Sequence, residues 1–256
     1  MLFKTVLKFL AITLSIVSLV SCVSKDKILY IQQGVKSDNN NSFEITIQPD
    51  DVLQINVLSE NPEVTIPYNM QTTLMIGVSE ENPEQRRQIS YLVDSNGMID
   101  YPVLGKIKLA GLSKSEAIIH IQNLLKEHIK DAVVNIRIMN FKFTVLGEVN
   151  RPGSFSNPSE RITLLEALGQ AGDMTIYGTR NNILVIRENN GTKTTQRVDI
   201  TKPDFINSEW YYLSQNDVVY VEPNKTRINS SAVGPNLTVG LSALSLLVTI
   251  IALSTR

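Results

Sequence analysis

The sequence predicts an α+β protein of two small mixed domains followed by a C-terminal transmembrane helix. Short apolar runs with a period of two, separated by turn residues, predict several strands. Two capping boxes predict two short helices, and a charge-free apolar stretch lies near the C-terminus. At 256 residues the chain is long enough to bury two small cores.

The composition argues against several kinds of site. Lys and Arg number 24 against 25 Asp and Glu, whereas a nucleic-acid binder carries a basic stripe. One cysteine allows no internal disulfide, and two histidines make no zinc cluster. We therefore expect no nucleic-acid partner, no metal and no cofactor, and the sequence assigns no catalytic residue.

Residues 1–21 have the pattern of a lipoprotein signal peptide. Lys4 and Lys8 precede an apolar run, Phe9–Val20, that is short for a membrane span. The Leu-Val-Ser tripeptide before Cys22 resembles a bacterial lipobox. The alternative is an ordinary signal peptide followed by a coincidental cysteine.

Cys22 is the predicted lipidation site and the first residue of the mature chain. Stable anchoring in membrane lipid needs two or more acyl chains, which lipoprotein modification supplies. Val23, rather than Asp, after the cysteine favours the outer membrane by analogy with bacterial lipoproteins. Residues 22–42 then form the lipidated N-terminus and a linker, which ends in the polar run Ser-Asp-Asn-Asn-Asn-Ser.

Residues 43–140 have the signals of a first mixed domain. The predicted elements are strands at 45–47 and 53–57, a hairpin of strands 91–93 and 98–101 about Asn96-Gly97, a helix from a capping box at Ser113 to about Ile129, and a strand at 132–138. The helix is expected to bury five side chains, Ala117, Ile118, Ile121, Leu124 and Leu125. Segment 60–87 is expected to be a long polar loop, either a partner contact or a solvated insertion.

Residues 141–224 have the signals of a second mixed domain. The predicted elements are a strand at 145–149, a turn at Arg151-Pro152-Gly153, a strand around Phe155, a helix with a capping box at Thr163 and Glu166, and hairpin strands 183–186 and 196–200. The helix is expected to bury Leu164, Leu165, Leu168 and Ala171 and to end at Gly172. The run 213–219 repeats the pattern of 47–53, which indicates related small sheets in the two domains.

Three stretches carry a resemblance to a known family. Gly-Glu-Val-x-x-Pro-Gly at 147–153, followed by Thr-Leu-Leu-Glu-Ala-Leu-x-x-Ala-Gly at 163–172, resembles the SLBB domain, a β-grasp-like module. The run 47–55 and the longer run 93–113 resemble the polysaccharide export domain. From about Ile45 to Glu222 the chain therefore resembles the outer-membrane polysaccharide export family of bacteria, the Wza-type capsule and exopolysaccharide exporters.

Residues 228–256 form the predicted C-terminal membrane helix, with no charged residue from 228 to 255. Its apolar part, 237–253, spans roughly 25 Å at ~1.5 Å per residue, enough for a thin bilayer. Its hydroxyl residues step by three or four positions and share an arc of about 60°. These residues are the pore-lining candidates Thr238, Ser242, Ser245 and Thr249.

Three interpretations of this helix compete: a tail anchor in the inner membrane, a small-residue packing seam between helices, and a ring of helices with hydroxyls facing a water-filled lumen. The family resemblance favours the ring. It implies a lipid-anchored subunit of a homo-oligomeric outer-membrane channel, with its body in the periplasm, that exports capsular or extracellular polysaccharide. The implied partner is an inner-membrane polysaccharide co-polymerase, often coupled to a tyrosine kinase.

Two other functions remain open from the sequence. One is a lipid-anchored glycan-binding lipoprotein that forms no pore. The other is a periplasmic carbohydrate enzyme, although no paired carboxylates stand out at a recognisable spacing.

Overall fold

The structure is a computed structural model that describes residues 28–32, 34, 43–69, 71–73, 86–88, 90–189, 191–232 and 235–254. In the last of these ranges the described side chains are those of 239, 240, 242, 243 and 245–250. The predicted signal peptide, Cys22, most of the 22–42 linker and the side chain of Thr238 lie outside the described residues.

The first lobe, residues 43–140, is built around a three-stranded antiparallel sheet. The whole lobe has one helix, α1 (Lys114–Leu125), and seven strands: β1 (Val52–Leu58), β2 (Gln71–Thr73), β3 (Arg86–Gln88), β4 (Ser90–Leu92), β5 (Met98–Tyr101), β6 (Gly105–Lys108) and β7 (Val133–Ile138). The sheet has the order β4-β1-β7, while β2 pairs with β3 and β5 with β6 in two separate ribbons. The helix α1 packs against β7 and covers one face of the sheet.

Helix α1 begins at the predicted capping box. The Ser113 hydroxyl accepts from the amide of Glu116 at 3.2 Å, and the Glu116 carboxylate accepts from the amide of Ser113 at 2.8 Å. The helix ends at Leu125, earlier than predicted, and a turn then buries Ile129. The prediction that Leu124 is buried was wrong: it is 39% exposed, because it lies about 100° around the helix from Leu125, which faces the sheet.

The predicted hairpin of strands 91–93 and 98–101 was also wrong, although its turn forms. Gly97 has a φ of +78°, and its amide donates to the Asp94 carbonyl at 2.8 Å. Strand β4 nevertheless pairs with β1, in the register Leu53 to Tyr91, whereas β5 pairs with β6. The Asp94 carboxylate accepts from the Asn96 and Met98 amides at 2.9 and 2.8 Å. These bonds stabilise the turn although β4 and β5 do not pair with each other.

Two further segments of the first lobe differ from the prediction. Ile45 and Ile47 are buried as expected, but their segment forms only an isolated bridge with Ser113 rather than a strand. Segment 60–87 contains a 3-10 helix, Pro62–Tyr68, and the β2–β3 ribbon, so its described part is not a structureless loop.

The second lobe, residues 141–224, is a five-stranded sheet with one short helix. Its elements are β8 (Lys142–Gly147), β9 (Gly153–Ser156), α2 (Leu164–Gln170), β10 (Gly178–Asn189), β11 (Thr192–Val198), a 3-10 helix (Pro203–Asn207) and β12 (Val218–Pro223). The strand order is β11-β10-β12-β8-β9, in which β12 and β8 run parallel and every other pair is antiparallel. The predicted β10–β11 hairpin is confirmed.

Helix α2 confirms the second capping box. The Thr163 hydroxyl accepts from the Glu166 amide at 3.1 Å, and the carboxylate accepts from the Thr163 amide at 2.7 Å. Gly172 has a φ of +74° just past the helix end, as a C-terminal glycine requires. The side chains of Leu164, Leu168 and Ala171 are buried, while that of Leu165 is partly buried. Several small sheets with few helices confirm the mixed α+β class. The buried residues of both lobes form one continuous core rather than the two cores expected.

Two helices follow the second lobe: α3 (Lys225–Ala232) and α4 (Pro235–Ser254), which has 20 residues. All described side chains of α4 are exposed, and several are large and apolar. In the part of the chain whose residues the structure describes, no helix combines the length and the apolar character that crossing a membrane requires. A helix is thus present where one was predicted, whereas the membrane span predicted for it is not found.

Candidate functional site

Two hydroxyl groups of α4, those of Ser245 and Thr249, bond to their own helix. The Ser245 hydroxyl donates to the Ser242 carbonyl at 2.9 Å, and the Thr249 hydroxyl donates to the Ser245 carbonyl at 2.8 Å. Such bonds satisfy the donor inside the helix, so these hydroxyls are not forced to face water. Each oxygen retains acceptor capacity toward a lumen or a neighbouring helix.

The start of α3 is held against the second lobe through Asn224 and Arg227. The Asn224 side chain accepts from the Arg227 amide at 3.0 Å, and the Asn224 amide donates to the Tyr177 carbonyl at 2.7 Å. The Arg227 guanidinium lies 3.6 Å from the Glu148 carboxylate and over the Tyr177 ring, 5.6 Å from its centroid. Thr175 bonds the same Glu148 carboxylate at 2.9 Å, so the base of the C-terminal helices has a defined position.

The N-terminal segment 30–32 lies at the same end of the second lobe. The Tyr30 hydroxyl donates to the Asp173 carboxylate, and the buried Arg180 guanidinium lies 5.5 Å from the Tyr30 ring centroid. The amides of Ile31 and Gln32 donate to the carbonyls of residues 200 and 201 at 3.1 and 3.2 Å. Burial and the Asp173 hydrogen bond raise the pKa of Tyr30, so its hydroxyl remains a donor at physiological pH. The sequence analysis missed this contact because its partners are 143 positions apart.

A buried amide bridge joins the two lobes. The Gln215 side chain, 2% exposed, accepts from the Lys142 amide and donates to the Asn140 carbonyl, both at 2.9 Å. The Asn140 side chain accepts from the Val52 amide and donates to the Asp50 carbonyl, also at 2.9 Å. The bridge thus connects the turn before β1 to the turn before β12.

Those two turns are the repeated patterns noticed in the sequence, and they have the same geometry. Asp50 and Asn216 have φ angles of +68° and +64°. Asp51 and Asp217 follow them, and each buried carboxylate accepts from the amide three residues earlier at 2.8 Å. The repeat of the 47–53 pattern at 213–219 therefore extends to the individual hydrogen bonds of the two turns.

A polar cleft of about 550 Å³ opens between the lobes. Its lining side chains carry amides, hydroxyls and charges of both signs, and they include Gln48, Asp50, Ser95, Asn96, Lys108, Glu188 and Asn216. This mixture of short polar groups suits hydrogen bonding to a hydroxyl-rich ligand. Among the described residues, no three His, Cys, Asp or Glu side chains are close enough to hold a metal ion.

The structure describes the side chains of three of the five predicted site residues. Ser242, Ser245 and Thr249 lie on α4 with exposed side chains, which leaves their pore-lining role a prediction. Cys22 and the Thr238 side chain lie outside the described residues. The junction of Tyr30, Asp173 and Arg180 and the Asn140–Gln215 bridge had no signal in the sequence, because each depends on contacts between distant segments.

Comparisons with known proteins agree with this architecture. The family described as "Polysaccharide biosynthesis/export protein" matches residues 39–139, and the SLBB domain matches residues 141–221. The chain is 29% identical over 182 residues to the EPS I polysaccharide export outer membrane protein EpsA of Ralstonia solanacearum, which covers 68% of this chain and 47% of that protein. It is also 29% identical over 179 residues to the protein of the same name from Ralstonia nicotianae, which covers 67% of this chain and 45% of that protein.

This chain therefore spans a little under half the length of those two relatives. The two family matches nevertheless run almost continuously through both lobes, from residue 39 to residue 221. Together with the export and SLBB motifs in the sequence, they show that the chain belongs to the outer-membrane polysaccharide export family.

Proposed function

We propose that the protein is a lipid-anchored subunit of an oligomeric outer-membrane channel that exports capsular or extracellular polysaccharide. The polymer would pass through a hydrated lumen without covalent change, driven from the inner-membrane side. An inner-membrane polysaccharide co-polymerase, with or without a coupled tyrosine kinase, is the proposed partner. The family membership and the names of the two relatives support the role in export, and α4 supports the channel.

The observation that carries the proposal is the unpartnered apolar surface of α4. Val239, Leu246, Leu247, Val248 and Ile250 are 53–66% exposed in the single chain. Leaving such side chains in water forgoes about 1.5–3 kcal/mol each, so α4 needs lipid or other helices around it. The hydroxyl side of α4 favours surroundings made of lipid and neighbouring helices together. Identical helices arranged in a ring keep their apolar side toward lipid and their hydroxyls toward the centre.

We propose that α4 enters the bilayer only in company with copies of itself. By itself α4 lacks, in its described residues, the combination of length and apolar character that a membrane crossing requires, but in a ring its 20 residues, about 30 Å long at ~1.5 Å per residue, would keep their hydroxyl side away from lipid. The internal hydrogen bonds of Ser245 and Thr249 reduce the cost of placing those hydroxyls beside lipid or protein. A closed ring would then contribute the lumen.

A second function, capture of a soluble glycan without a pore, is favoured by the cleft between the lobes. Its volume of about 550 Å³ and its polar lining fit a short stretch of sugar residues. In this alternative the lipid on Cys22 alone would hold the protein at the membrane, and α4 would have no lumen to enclose.

The size of the detergent-extracted particle separates the two functions. The full chain, extracted in mild detergent, is passed over a gel-filtration column with light scattering and then imaged by negative-stain electron microscopy. A ring of many subunits is the expected result, and a monomer would support glycan capture instead. A variant that ends at Ala232 serves as the matched control: it should keep its lipid but lose export.

A further inference from the structure

The end of the second lobe that holds Tyr30 and α3 exposes an unusual set of apolar side chains. Ile176 is 61% exposed and Tyr177 is 40% exposed in the loop before β10, while Ile228 of α3 is 53% exposed. Leu29, next to the clamped Tyr30, is 47% exposed. We call this set the apolar end: Leu29, Ile176, Tyr177 and Ile228.

Contacts within the protein hold the segments that carry these four side chains at one end of the second lobe. Tyr177 is bound to the base of α3 through the Asn224 amide and the Arg227 guanidinium. Ile228 follows Arg227 in the same helical turn. Arg180 donates to the carbonyls of Thr175 and Gly178 at 3.2 and 2.8 Å while lying against the Tyr30 ring. One loop therefore contacts both the N-terminal segment and the base of the C-terminal helices.

The charged side chains that α3 exposes beside the apolar end are basic, and one of them, Arg227, also lies 3.6 Å from the Glu148 carboxylate. Lys225 and Arg227 are exposed on α3, which has no acidic residue in its first turn. Aliphatic side chains, a tyrosine and basic residues together are the composition of protein surfaces that sit in the headgroup region of a bilayer. The basic groups are placed to pair with lipid phosphates.

Under the proposed function, the lipid on Cys22 and the helix α4 enter the same membrane. The helix α4 begins three residues after α3 ends. Cys22 precedes Leu29 by only a few residues, which reach roughly 24 Å at most when extended. If Cys22 carries lipid, as the proposed function states, its anchor and α4 enter the bilayer beside the apolar end.

We infer that the apolar end is a membrane-docking surface that rests on the phospholipid leaflet into which the Cys22 lipid inserts. Ile176 and Ile228 enter the boundary between headgroups and acyl chains, and Tyr177 lies at headgroup level. Lys225 and Arg227 face the phosphates. The inference rests on the proposed function for the lipid anchor, and it adds the face of the protein that meets the membrane.

The opposite end of the second lobe offers a control at a known distance. Strand β10 begins at Gly178, beside the apolar end, and runs to Asn189 near the first lobe. At ~3.3 Å per residue its 12 residues extend about 36 Å, which is comparable to a bilayer thickness. Lys193, exposed near the tip of the β10–β11 hairpin, therefore lies far from the proposed membrane.

The test is a spin-label accessibility measurement on the full chain in vesicles of phosphatidylethanolamine and phosphatidylglycerol. One variant carries a label at Ile176→Cys and the other at Lys193→Cys, with the unsubstituted chain as the background control. At position 176 we expect collisions with lipid-soluble oxygen to exceed collisions with a water-soluble nickel complex by at least fivefold. At position 193 we expect the reverse order.

Two results would overturn the inference. One is equal access of the nickel complex to positions 176 and 193, which would place the apolar end in water. The other is protection of position 176 from both oxygen and nickel, which would indicate a contact with another copy of the chain. Either result with a ring-shaped particle of normal size would leave the proposed export function standing, whereas a monomer would count against that function instead.

Discussion

Asp51 and Asp217 occupy equivalent positions in two turns of the same geometry, but among the described residues only Asp217 has a cation beside it. The Arg187 guanidinium contacts the Asp217 carboxylate at 2.7 Å and lies over the Trp210 ring, 4.5 Å from its centroid. The Oδ1 atom of Asp51 makes no hydrogen bond with any residue that the structure describes. The carboxylates at these equivalent positions therefore differ in their partners: that of Asp217 is paired with an arginine, whereas one oxygen of Asp51 is without a described hydrogen-bond partner.

The first prediction concerns the pH dependence that follows from Asp51. Burial raises its pKa from 3.8 to about 6, so between these pH values the folded state binds more protons than the unfolded state. The free energy of unfolding should then fall as pH rises through this window, by on the order of 2–3 kcal/mol in total. Asp51→Asn should lose most of that dependence, as measured by chemical unfolding of the detergent-solubilised chain at pH 4.5 and 7.5.

The equivalent substitution at Asp217 is the matched control. Burial also raises the pKa of Asp217, although the hydrogen bond and charge of Arg187 oppose that effect. Asp217→Asn removes the charge that pairs with Arg187, so the variant should lose about 3–5 kcal/mol of stability at pH 7.5. Equal behaviour of the two variants would contradict the difference seen between the turns.

The second prediction concerns the amide bridge between the lobes. Gln215→Leu leaves the Lys142 amide and the Asn140 carbonyl without their buried partner, at a cost of about 1–3 kcal/mol. We also expect the unsubstituted chain to unfold in one transition and Gln215→Leu to unfold in two, because the lobes lose a bond that couples them. Calorimetry of the solubilised chain measures both effects.

The exposed Gln196→Leu variant is the control for this experiment. In the described part of the chain its side chain donates to the Arg197 carbonyl alone, at 3.3 Å, so the substitution should change stability by less than about 0.5 kcal/mol. An unaltered transition in Gln215→Leu would show that the bridge does not couple the lobes.

The third prediction concerns the hydroxyl side of α4. Ser245→Leu combined with Thr249→Leu replaces two hydroxyls on the proposed lumen side with bulky apolar groups. Export should fall severalfold while lipidation remains intact, as measured by cell-surface polysaccharide and by acyl labelling. Ala243→Leu, about 160° around the helix from Ser245, should leave export unchanged. Normal export in the double variant would argue against a lumen-facing stripe.

The fourth prediction concerns the lipid anchor. Cys22→Ala removes the thiol that would carry the diacylglyceryl group, so metabolic labelling with a fatty acid should drop to background. The protein should also shift toward the soluble fraction, because α4 alone is proposed to enter the bilayer only as part of a ring. Persistent labelling in Cys22→Ala would rule out the assignment of Cys22.

Local patterns in the sequence were sufficient to predict the elements whose bonds lie close together along the chain. The capping boxes at Ser113 and Thr163 each join residues three positions apart, and the glycine after α2 closes that helix within one turn. The repeated turns before Asp51 and Asp217 were visible for the same reason. Family motifs extended these local signals to the order of the two domains.

Contacts between residues far apart in the sequence could not be predicted from local patterns. The turn at Gly97 was predicted correctly, yet β4 pairs with β1 rather than with β5, because a turn fixes the chain direction and not the partner of each strand. Tyr30 reaches Asp173 across 143 positions, and Arg187 reaches Asp217 across 30. Local sequence patterns were thus enough to identify the class of elements, their caps and the family. Tertiary packing sets which buried charge has a counter-ion and which end of the second lobe holds both segment 30–32 and the start of α3, since those depend on contacts between segments that no local pattern encodes.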